Sequence, residues 1–334
     1  MILLGEHAVI YGRTALAAAL DRYVRVTVSS ASIAITSAAT RRGCGEGSTR
    51  GSAPFPETLF APIESEPSPE SRRLQAAFER AAAQLEVDPA DFTISVEADL
   101  PIAAGLGSSA ALSVALVRAL AAATNRVVGD SAVCSAAYEI EKLFHGQPSG
   151  IDNTVATYGG MLAFQRGAPH RFIDVACALP LVVACGRSSR QTQAAVRGLC
   201  ERWQREPDRY EDWFDEIDWL SDLAEHAIVS GRLGTLGGLL NANHKLLQQL
   251  GVSTDELDAM VALARSHGAL GAKLTGGGGG GAVICLCRED RDNLIRAFAE
   301  AGWNAFPADI QPAARGDHAV RTAALASEQS DLRP

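Results

Sequence analysis

The chain has 334 residues, of which 47% are hydrophobic and 21% charged, as in an ordinary globular protein with room for about two domains. Its net charge of −9 without a basic block disfavours binding to nucleic acid or to an anionic membrane, which both require positive surface charge. No signal peptide or run of about 18 apolar residues is recognisable, and the seven cysteines are scattered, so we expect a cytoplasmic protein with free thiols.

The first half of the chain alternates strand and helix patterns. Residues 2–30 are predicted to be largely extended and end in the strict alternation VRVTVSS. Residues 36–70 are rich in Ser, Gly, Pro and Glu and predict a long surface loop. The pattern then predicts a helix, a strand and two more helices, in the order 71–86, 92–100, 108–124 and 131–144.

The second half begins with an apolar strand and continues mainly as helices. A strand is predicted over 180–186, and helices follow at about 190–204, 211–230, 232–250 and 254–267. A strand, a glycine loop and a strand come next, before a helix in DRDNLIRAFAEAG and a strand in NAFPADI. The polar tail from about residue 312 is expected to fray. Without regular βαβ alternation, the order of elements predicts the α+β class.

The stretch PIAAGLGSSAALSVAL, residues 101–116, is the strongest chemical signal, because a strand leads through small residues into a helix. Gly105 and Gly107 allow the backbone to approach a ligand closely. Ser108 and Ser109 lie at the helix N-terminus, where free N–H groups and the helix dipole favour anions. No Gly-Lys-Ser/Thr follows, so this is not a Walker A loop. A tight turn with a serine cap is the alternative interpretation.

A second glycine-rich stretch, GAKLTGGGGGGAV, contains six consecutive glycines from Gly276 to Gly281. Glycines cost backbone entropy and bury no side chain, so such a run predicts a backbone that curls around a ligand or a neighbouring loop. The alternative, a flexible linker, fits poorly because apolar strands are predicted on both sides.

Two further stretches combine acidic residues and histidine. EKLFHGQPSGIDNTVATYGG places Glu141 at the end of a helix and Asp152 after a Pro-Ser-Gly turn. Such carboxylates are suited to metal binding and general-base chemistry, although each alone is also explained as a cap or a solvated charge. GEHAVIYG places Glu6 and His7 at a strand end, for which a surface turn is the alternative. His145 alone is weak support for a site.

Together and in this order, the motifs resemble those of the GHMP small-molecule kinases, and most closely those of the mevalonate kinases. GEHAVIYG is similar to the family's opening motif, HGQPSGIDNTVATYGG to its central motif, and PIAAGLGSSAA and KLTGGGGGG to its two glycine loops. The resemblance covers essentially the whole chain. It implies a two-domain α+β fold, with a ribosomal-protein-S5-like, ATP-binding N-terminal domain over 1–175, a ferredoxin-like C-terminal domain over 176–334, and the active site between them.

The resemblance also implies an activity, the ATP-dependent phosphorylation of the C5 hydroxyl of mevalonate in isoprenoid biosynthesis, with Mg²⁺ as cofactor and a homodimer as assembly. Asp152 matches the catalytic carboxylate, and Ser109 and Glu141 match the Mg²⁺ ligands. The loop around the ATP phosphates would comprise Ala103, Ala104, Gly105, Leu106, Gly107, Ser108 and Ser109. The substrate side would comprise Glu6, His7, Arg190, Thr192, Thr275 and Gly276.

Two alternatives to this function follow from the same motifs. One is another GHMP kinase, acting on phosphomevalonate or a sugar, and the other is a catalytically impaired relative that binds a ligand. The central motif with Asp152 argues against an impaired protein.

The family's opening motif normally carries a catalytic lysine before Gly-Glu-His, and the resemblance places that lysine directly before Met1. We hypothesise that the true start lies upstream; the alternative is a chain with reduced or altered activity. An in-frame Pro-Gly-Lys sequence in the upstream DNA would support the first explanation, and a stop codon would exclude it.

Overall fold

The computed structural model describes residues 1–30, 68–99, 105–146, 148–187, 192–288 and 290–312. The predicted loop therefore lies outside the described residues, apart from 68–70, where a helix begins. The predicted polar tail lies outside them after residue 312.

The described strands match most of the predicted extended segments. They are β1 (Ile2–Leu4), β2 (Ala15–Ala18), β3 (Val24–Ser30), β4 (Phe92–Ala98), β5 (Met161–Phe164), β6 (Arg171–Phe172), β7 (Leu179–Cys185), β8 (Gly271–Thr275), β9 (Ala282–Leu286) and β10 (Asn304–Ile310). They form three sheets, in the orders β1-β2-β5-β6, β10-β7-β9-β8 and β3-β4. Every pairing among these strands is antiparallel, which confirms the α+β class.

The described α-helices are α1 (Pro69–Gln84), α2 (Ser108–Ala123), α3 (Asp130–His145), α4 (Ile151–Tyr158), α5 (Thr192–Arg205), α6 (Pro207–Val229), α7 (Leu233–Gln249), α8 (Asp255–Ser266) and α9 (Arg291–Glu300). All but α4 were predicted from the sequence, to within a few residues at each end. None of the helices in the described ranges is both long and apolar enough to cross a membrane.

The helix α4 was missed because nothing local marks it. It begins after Gly150, which adopts a left-handed conformation and supplies no side-chain cap. Its eight residues include β-branched Thr and Val, which are weak helix formers. Ile151 and Val155 are buried in a small core against β2 and β5, so tertiary packing stabilises this helix.

The first strand is built into the core of the second sheet. Leu3 and Leu4 of β1 belong to the same hydrophobic cluster as Phe214 of α6 and Leu274 of β8. The segment that follows β1 is thereby placed against the strands and helices of the second half. The predicted domain boundary after residue 175 falls between β6 and β7 and stays a prediction.

Candidate active site

The first glycine loop leads into the N-terminus of α2, which has no side-chain cap. Gly105 and Gly107 have φ angles of 90° and 80°, a left-handed region that favours glycine. Gly107 directly precedes α2 and makes no side-chain cap to it. The first N–H groups of a helix have no partner within the helix, so this end is suited to an anion such as a phosphate. Ala103 and Ala104 lie outside the described residues.

Behind this helix end, a serine and a glutamate face each other. The Ser109 hydroxyl lies 3.1 Å from Glu141 Oε2 and 3.1 Å from His145 Nε2. Ser113, one turn further along α2, lies 3.3 Å from Glu141 Oε1. The structure thus brings together Ser109 and Glu141 as predicted, and adds Ser113 and His145, whose local patterns had given little indication of a role.

The carboxyl group of Glu141 is held in an unfavourable electrostatic environment. Burial and, to a smaller extent, the negative charge of Asp152 raise its pKa to about 7, although hydrogen bonds from Ser109 and Ser113 oppose the shift. A cation bound beside these carboxylates would remove the repulsion. Hydroxyl and carboxylate oxygens are ligands that suit Mg²⁺.

A magnesium ion at this place would need further ligands. Among the described residues there is no cluster of three or more His, Cys, Asp or Glu side chains that could hold a metal ion. Mg²⁺ is typically bound by one or two carboxylates together with substrate phosphates and water. The Ser109–Glu141 pair therefore fits a metal that arrives with a nucleotide.

The predicted catalytic carboxylate lies against the glycine loop. Asp152 is half-buried in the first turn of α4. A Cβ atom added to Gly107 would lie 3.2 Å from its Oδ1 atom. The neighbouring Asn153 is buried, and its amide donates to the Cys134 carbonyl of α3 at 3.1 Å. This hydrogen bond fixes α4 on α3 and so orients Asp152, a contact that no local pattern indicates.

The opening motif is buried and is not the surface turn considered as the alternative. Glu6 is 1% exposed and His7 is 4% exposed. Gly5 before them has a φ of 94°, and a Cβ there would lie 2.4 Å from the Ala15 Cα. Only glycine fits this turn, because any side chain would strike the backbone of β2.

A lysine that sequence reasoning missed meets this motif. Lys273 is completely buried in β8, and its ammonium donates to Glu6 Oε1 and, at 2.7 Å, to the Leu274 carbonyl. Two residues later, the Thr275 hydroxyl donates to the Ile2 carbonyl at 2.7 Å. One feature of the sequence could have indicated this ion pair: a single lysine stands within the apolar strand GAKLT, and a buried lysine requires a charged partner.

Burial dominates the electrostatics of this second cluster. It raises the pKa of Glu6 and lowers that of Lys273, and the attraction between the two charges opposes both shifts. It lowers the pKa of His7 to about 4, although a hydrogen bond with the Gly277 backbone opposes this, so His7 is neutral at pH 7. Within the described structure, Glu6 Oε2 and His7 Nε2 are buried without a hydrogen-bond partner.

The six-glycine run curls against a neighbouring loop, which was one of its two predicted explanations. Five of its glycines, Gly276 and Gly278 to Gly281, have φ angles between 65° and 112°. A Cβ on Gly278 would lie 2.2 Å from the Val252 carbonyl oxygen, and the Gly279 N–H donates to that oxygen at 2.9 Å. Close backbone contact, rather than linker flexibility, explains the glycines.

The two clusters face the same region at the start of β1. Burial lowers the pKa of the Met1 amino group, and the negative charges of Asp152 and Glu6 both oppose that shift. Arg190 lies outside the described residues, as does the side chain of Thr192, although α5 begins at that position. The assignment of both to a substrate side therefore stays a prediction.

A second buried histidine lies beside Lys273. His244 Nε2 is 3.1 Å from Asp258 Oδ1, and its Nδ1 accepts the Leu274 N–H at 3.4 Å. This is the pattern of a neutral imidazole, since protonated Nδ1 could not accept. Burial lowers the pKa of His244 to about 4; the charge of Asp258 opposes this shift, and that of Lys273 adds to it.

The contribution of the two buried histidines to stability is expected to fall on acidification, and the raised pKa of Glu141 acts in the opposite direction. His7 and His244 both titrate near pH 4 when folded but near 6.5 when unfolded, so the unfolded chain binds more protons between these values. Their contribution to the free energy of unfolding is complete above pH 6.5 and is lost as the pH falls towards 4. The loss is at most roughly 3 kcal/mol per histidine. The free energy of unfolding, measured with denaturant at several pH values, should rise less steeply with pH between 4 and 6.5 in H244Q than in wild type. The exposed-site variant H226Q should retain the wild-type slope, and an unchanged slope in H244Q would contradict the assignment.

Two family models match the chain. That of the GHMP kinases N-terminal domain covers residues 72–160, and that of the GHMP kinases C-terminal domain covers 224–304. The first match contains Ser109, Glu141 and Asp152. The second contains Lys273 and the six glycines.

Curated relatives and solved structures agree with this match. The mevalonate kinase of Methanothermobacter thermautotrophicus is 34% identical, over 92% of this chain and 94% of that protein. The mevalonate kinase of Aeropyrum pernix is 36% identical, over 93% of each. The crystal structure of L. major mevalonate kinase in complex with R-mevalonate has a TM-score of 0.76 at 28% identity, covering 94% of both chains.

Proposed function

This chain belongs to the GHMP kinases and is a phosphotransferase, and on that premise we propose that it transfers the γ-phosphoryl group of ATP to the C5 hydroxyl of mevalonate. The proposal is carried by one juxtaposition: the Asp152 carboxylate lies against Gly107, the residue that precedes the uncapped N-terminus of α2. A proton acceptor thereby stands beside a phosphate-binding end of a helix. The named relatives supply the substrate, since mevalonate kinases match across more than nine-tenths of the chain.

The N-terminus of α2 supports ATP binding. Its free N–H groups and the positive end of the helix dipole would bind phosphate oxygens, and Gly105 and Gly107 let those oxygens approach the backbone. Phosphoryl transfer needs little covalent chemistry from the protein, because positioning and charge neutralisation lower most of the barrier.

Ser109 and Glu141 would hold the Mg²⁺ that accompanies the nucleotide. When bound, this ion neutralises charge that develops on the phosphate oxygens during transfer. Ser113 lies within hydrogen-bond distance of Glu141 Oε1, and this contact restrains the carboxylate.

Asp152 would orient the acceptor hydroxyl and take its proton as the bond to phosphorus forms. Its position in the first turn of α4 is fixed from behind by the Asn153–Cys134 hydrogen bond. Glu6 and His7 would contact the alcohol substrate, because each carries a buried atom without a partner in the described structure.

A panel of acceptor alcohols tests this function. We expect ATP- and Mg²⁺-dependent release of ADP with R-mevalonate, together with 5-phosphomevalonate as the product identified by mass spectrometry. Phosphomevalonate, galactose and homoserine should give at most background release. Preferential turnover of one of these would replace the proposed substrate, and nucleotide binding without any turnover would identify an impaired relative.

The contact between Gly107 and Asp152 gives a further prediction. G107A should lower kcat/KM for mevalonate about 10-fold or more, because its Cβ would press on the Asp152 carboxylate at 3.2 Å. Gly12 provides a matched control, since it is also left-handed, with φ 84°, and has nothing within 4 Å of an added Cβ. G12A should lose comparable stability but retain activity. Equal kinetics for the two variants would contradict the assigned contact.

The family resemblance also supports two proposals that concern the whole protein. We propose a homodimer in the cytoplasm, and a division into an ATP-binding domain over 1–175 and a second domain over 176–334. Sedimentation velocity would measure the assembly, and limited proteolysis would locate the boundary.

A further inference from the structure

The ion pair between Glu6 and Lys273 joins parts of the chain that are 267 residues apart. Both side chains are buried, with exposures of 1% and 0%. Removing two charges from water is costly, and such a pair is often no more stabilising than apolar side chains of similar volume. A contribution to stability therefore explains this pair poorly. The need to hold both side chains in one fixed position explains it better.

The pair holds a strained turn in place. Gly5 and His7, on either side of Glu6, have φ angles of 94° and 63°. With its ψ of −51°, His7 is the central residue of a three-residue turn closed by the Ala8 N–H and the Glu6 carbonyl at 2.7 Å, a rare and strained conformation. Strained backbone of this kind persists only where the surroundings hold it in place. Lys273 does so from the second sheet, where the Leu274 carbonyl fixes its ammonium.

What the turn presents is two buried atoms able to accept hydrogen bonds. Lys273 binds Glu6 through Oε1, so Glu6 Oε2 has no hydrogen-bond partner in the described structure. His7 Nε2 also has none there. Since His7 is neutral at pH 7 and contacts the Gly277 backbone, Nε2 is left as an acceptor. Buried acceptors of this kind are satisfied by donors such as the hydroxyl groups of an alcohol.

We propose that Lys273 is a positioning residue for the alcohol substrate, which it places through Glu6 without touching it. This inference rests on the proposed function. The described hydrogen bonds of Lys273 run to Glu6 and Leu274, and none runs to Ser109, Glu141 or the start of α2. Its loss therefore acts on the alcohol side of the site and spares the nucleotide side.

The test compares substrate and nucleotide binding in the full chain. K273M is expected to lower kcat/KM for mevalonate about 100-fold, the size of effect that a displacement of about 1 Å produces. The dissociation constant of the unreactive ATP analogue AMPPNP, measured by calorimetry, should stay within about threefold of wild type. Equal losses for mevalonate and AMPPNP, or a normal KM and kcat for mevalonate, would overturn the proposal.

A double variant separates positioning from charge compensation. K273M leaves Glu6 buried without its partner, so loss of stability is expected, and E6Q/K273M removes that unpaired charge. The double variant should recover much of the thermal stability but stay about 100-fold impaired towards mevalonate. Recovery of activity along with stability would show that Lys273 only neutralises Glu6. If K273M does not fold, K273R is the alternative variant: it keeps the charge but displaces the donor, so it is expected to show the same split between mevalonate and AMPPNP, and normal kinetics in K273R would overturn the proposal.

A matched control breaks another ion pair between the N-terminal segment and the second half. Arg13 binds Asp215 at 2.7 Å and also Glu211, both on α6, in a partly exposed position. R13M removes a long cationic side chain just as K273M does. It should leave unchanged both kcat/KM for mevalonate and the dissociation constant of AMPPNP. Failure of the wild-type enzyme to turn over mevalonate would refute the proposed function, whereas normal turnover in K273M would refute only this inference.

Discussion

Replacement of Asp152 by asparagine is expected to lower kcat about 1000-fold, while AMPPNP binds with nearly the wild-type dissociation constant. The variant keeps the shape of the side chain but cannot accept a proton, and general-base groups typically contribute 10²- to 10⁴-fold to a rate, so about 1000-fold is a central value. The nucleotide contacts assigned to the start of α2 and to the Ser109–Glu141 pair are left in place. Steady-state kinetics and calorimetry provide the two measurements.

Asp130 supplies the control for this variant. It is also an aspartate in the first turn of a helix, α3, at the opposite end of that helix from Glu141, and it forms an ion pair with Arg118 at 2.7 Å. D130N should lower stability slightly and leave kcat unchanged. If D152N turned over mevalonate within tenfold of the wild-type rate, Asp152 would not be the base, and the juxtaposition with Gly107 would lose its mechanistic meaning.

Replacement of Gly278 by alanine is expected to destabilise the protein by more than about 4 kcal/mol, in the range reserved for severe steric conflict. The added Cβ would lie 2.2 Å from the backbone oxygen of Val252, which no side-chain rotation can relieve. The loop cannot simply move away, because the Gly279 N–H donates to the same oxygen. Chemical denaturation of wild type and variant would measure the difference in free energy of unfolding.

Gly268 isolates the contribution of backbone conformation. Its φ of 86° is also left-handed, but an added Cβ would have nothing within 4 Å. G268A should therefore cost only the roughly 1–2 kcal/mol of a left-handed alanine. Similar losses for G278A and G268A would show that the glycine run is flexible enough to accept side chains, as the linker interpretation supposed.

Most elements of the fold follow from local patterns. β3 was predicted because its residues alternate between the two faces of a sheet, and α1 because its apolar residues recur at helical spacing. The glycine loop and the central motif were also recognised from the sequence, since such motifs consist of residue types at fixed short spacings, and the roles of their residues stay predictions. In these cases the information lies within one element or one turn.

Only the tertiary structure determines which of these segments contact each other. α4 forms because its apolar side chains find a core against β2 and β5, and its sequence alone has weak helix propensity. The sequence left open whether the glycine run curls around a ligand or a neighbouring loop, and the structure shows the contact with the loop at Val252. The role proposed for Lys273 depends on Glu6, at the other end of the chain, being folded onto it. Pairing across such a separation leaves no trace in local composition, because the free energy of burying a charge depends on its partner and not on its sequence neighbours.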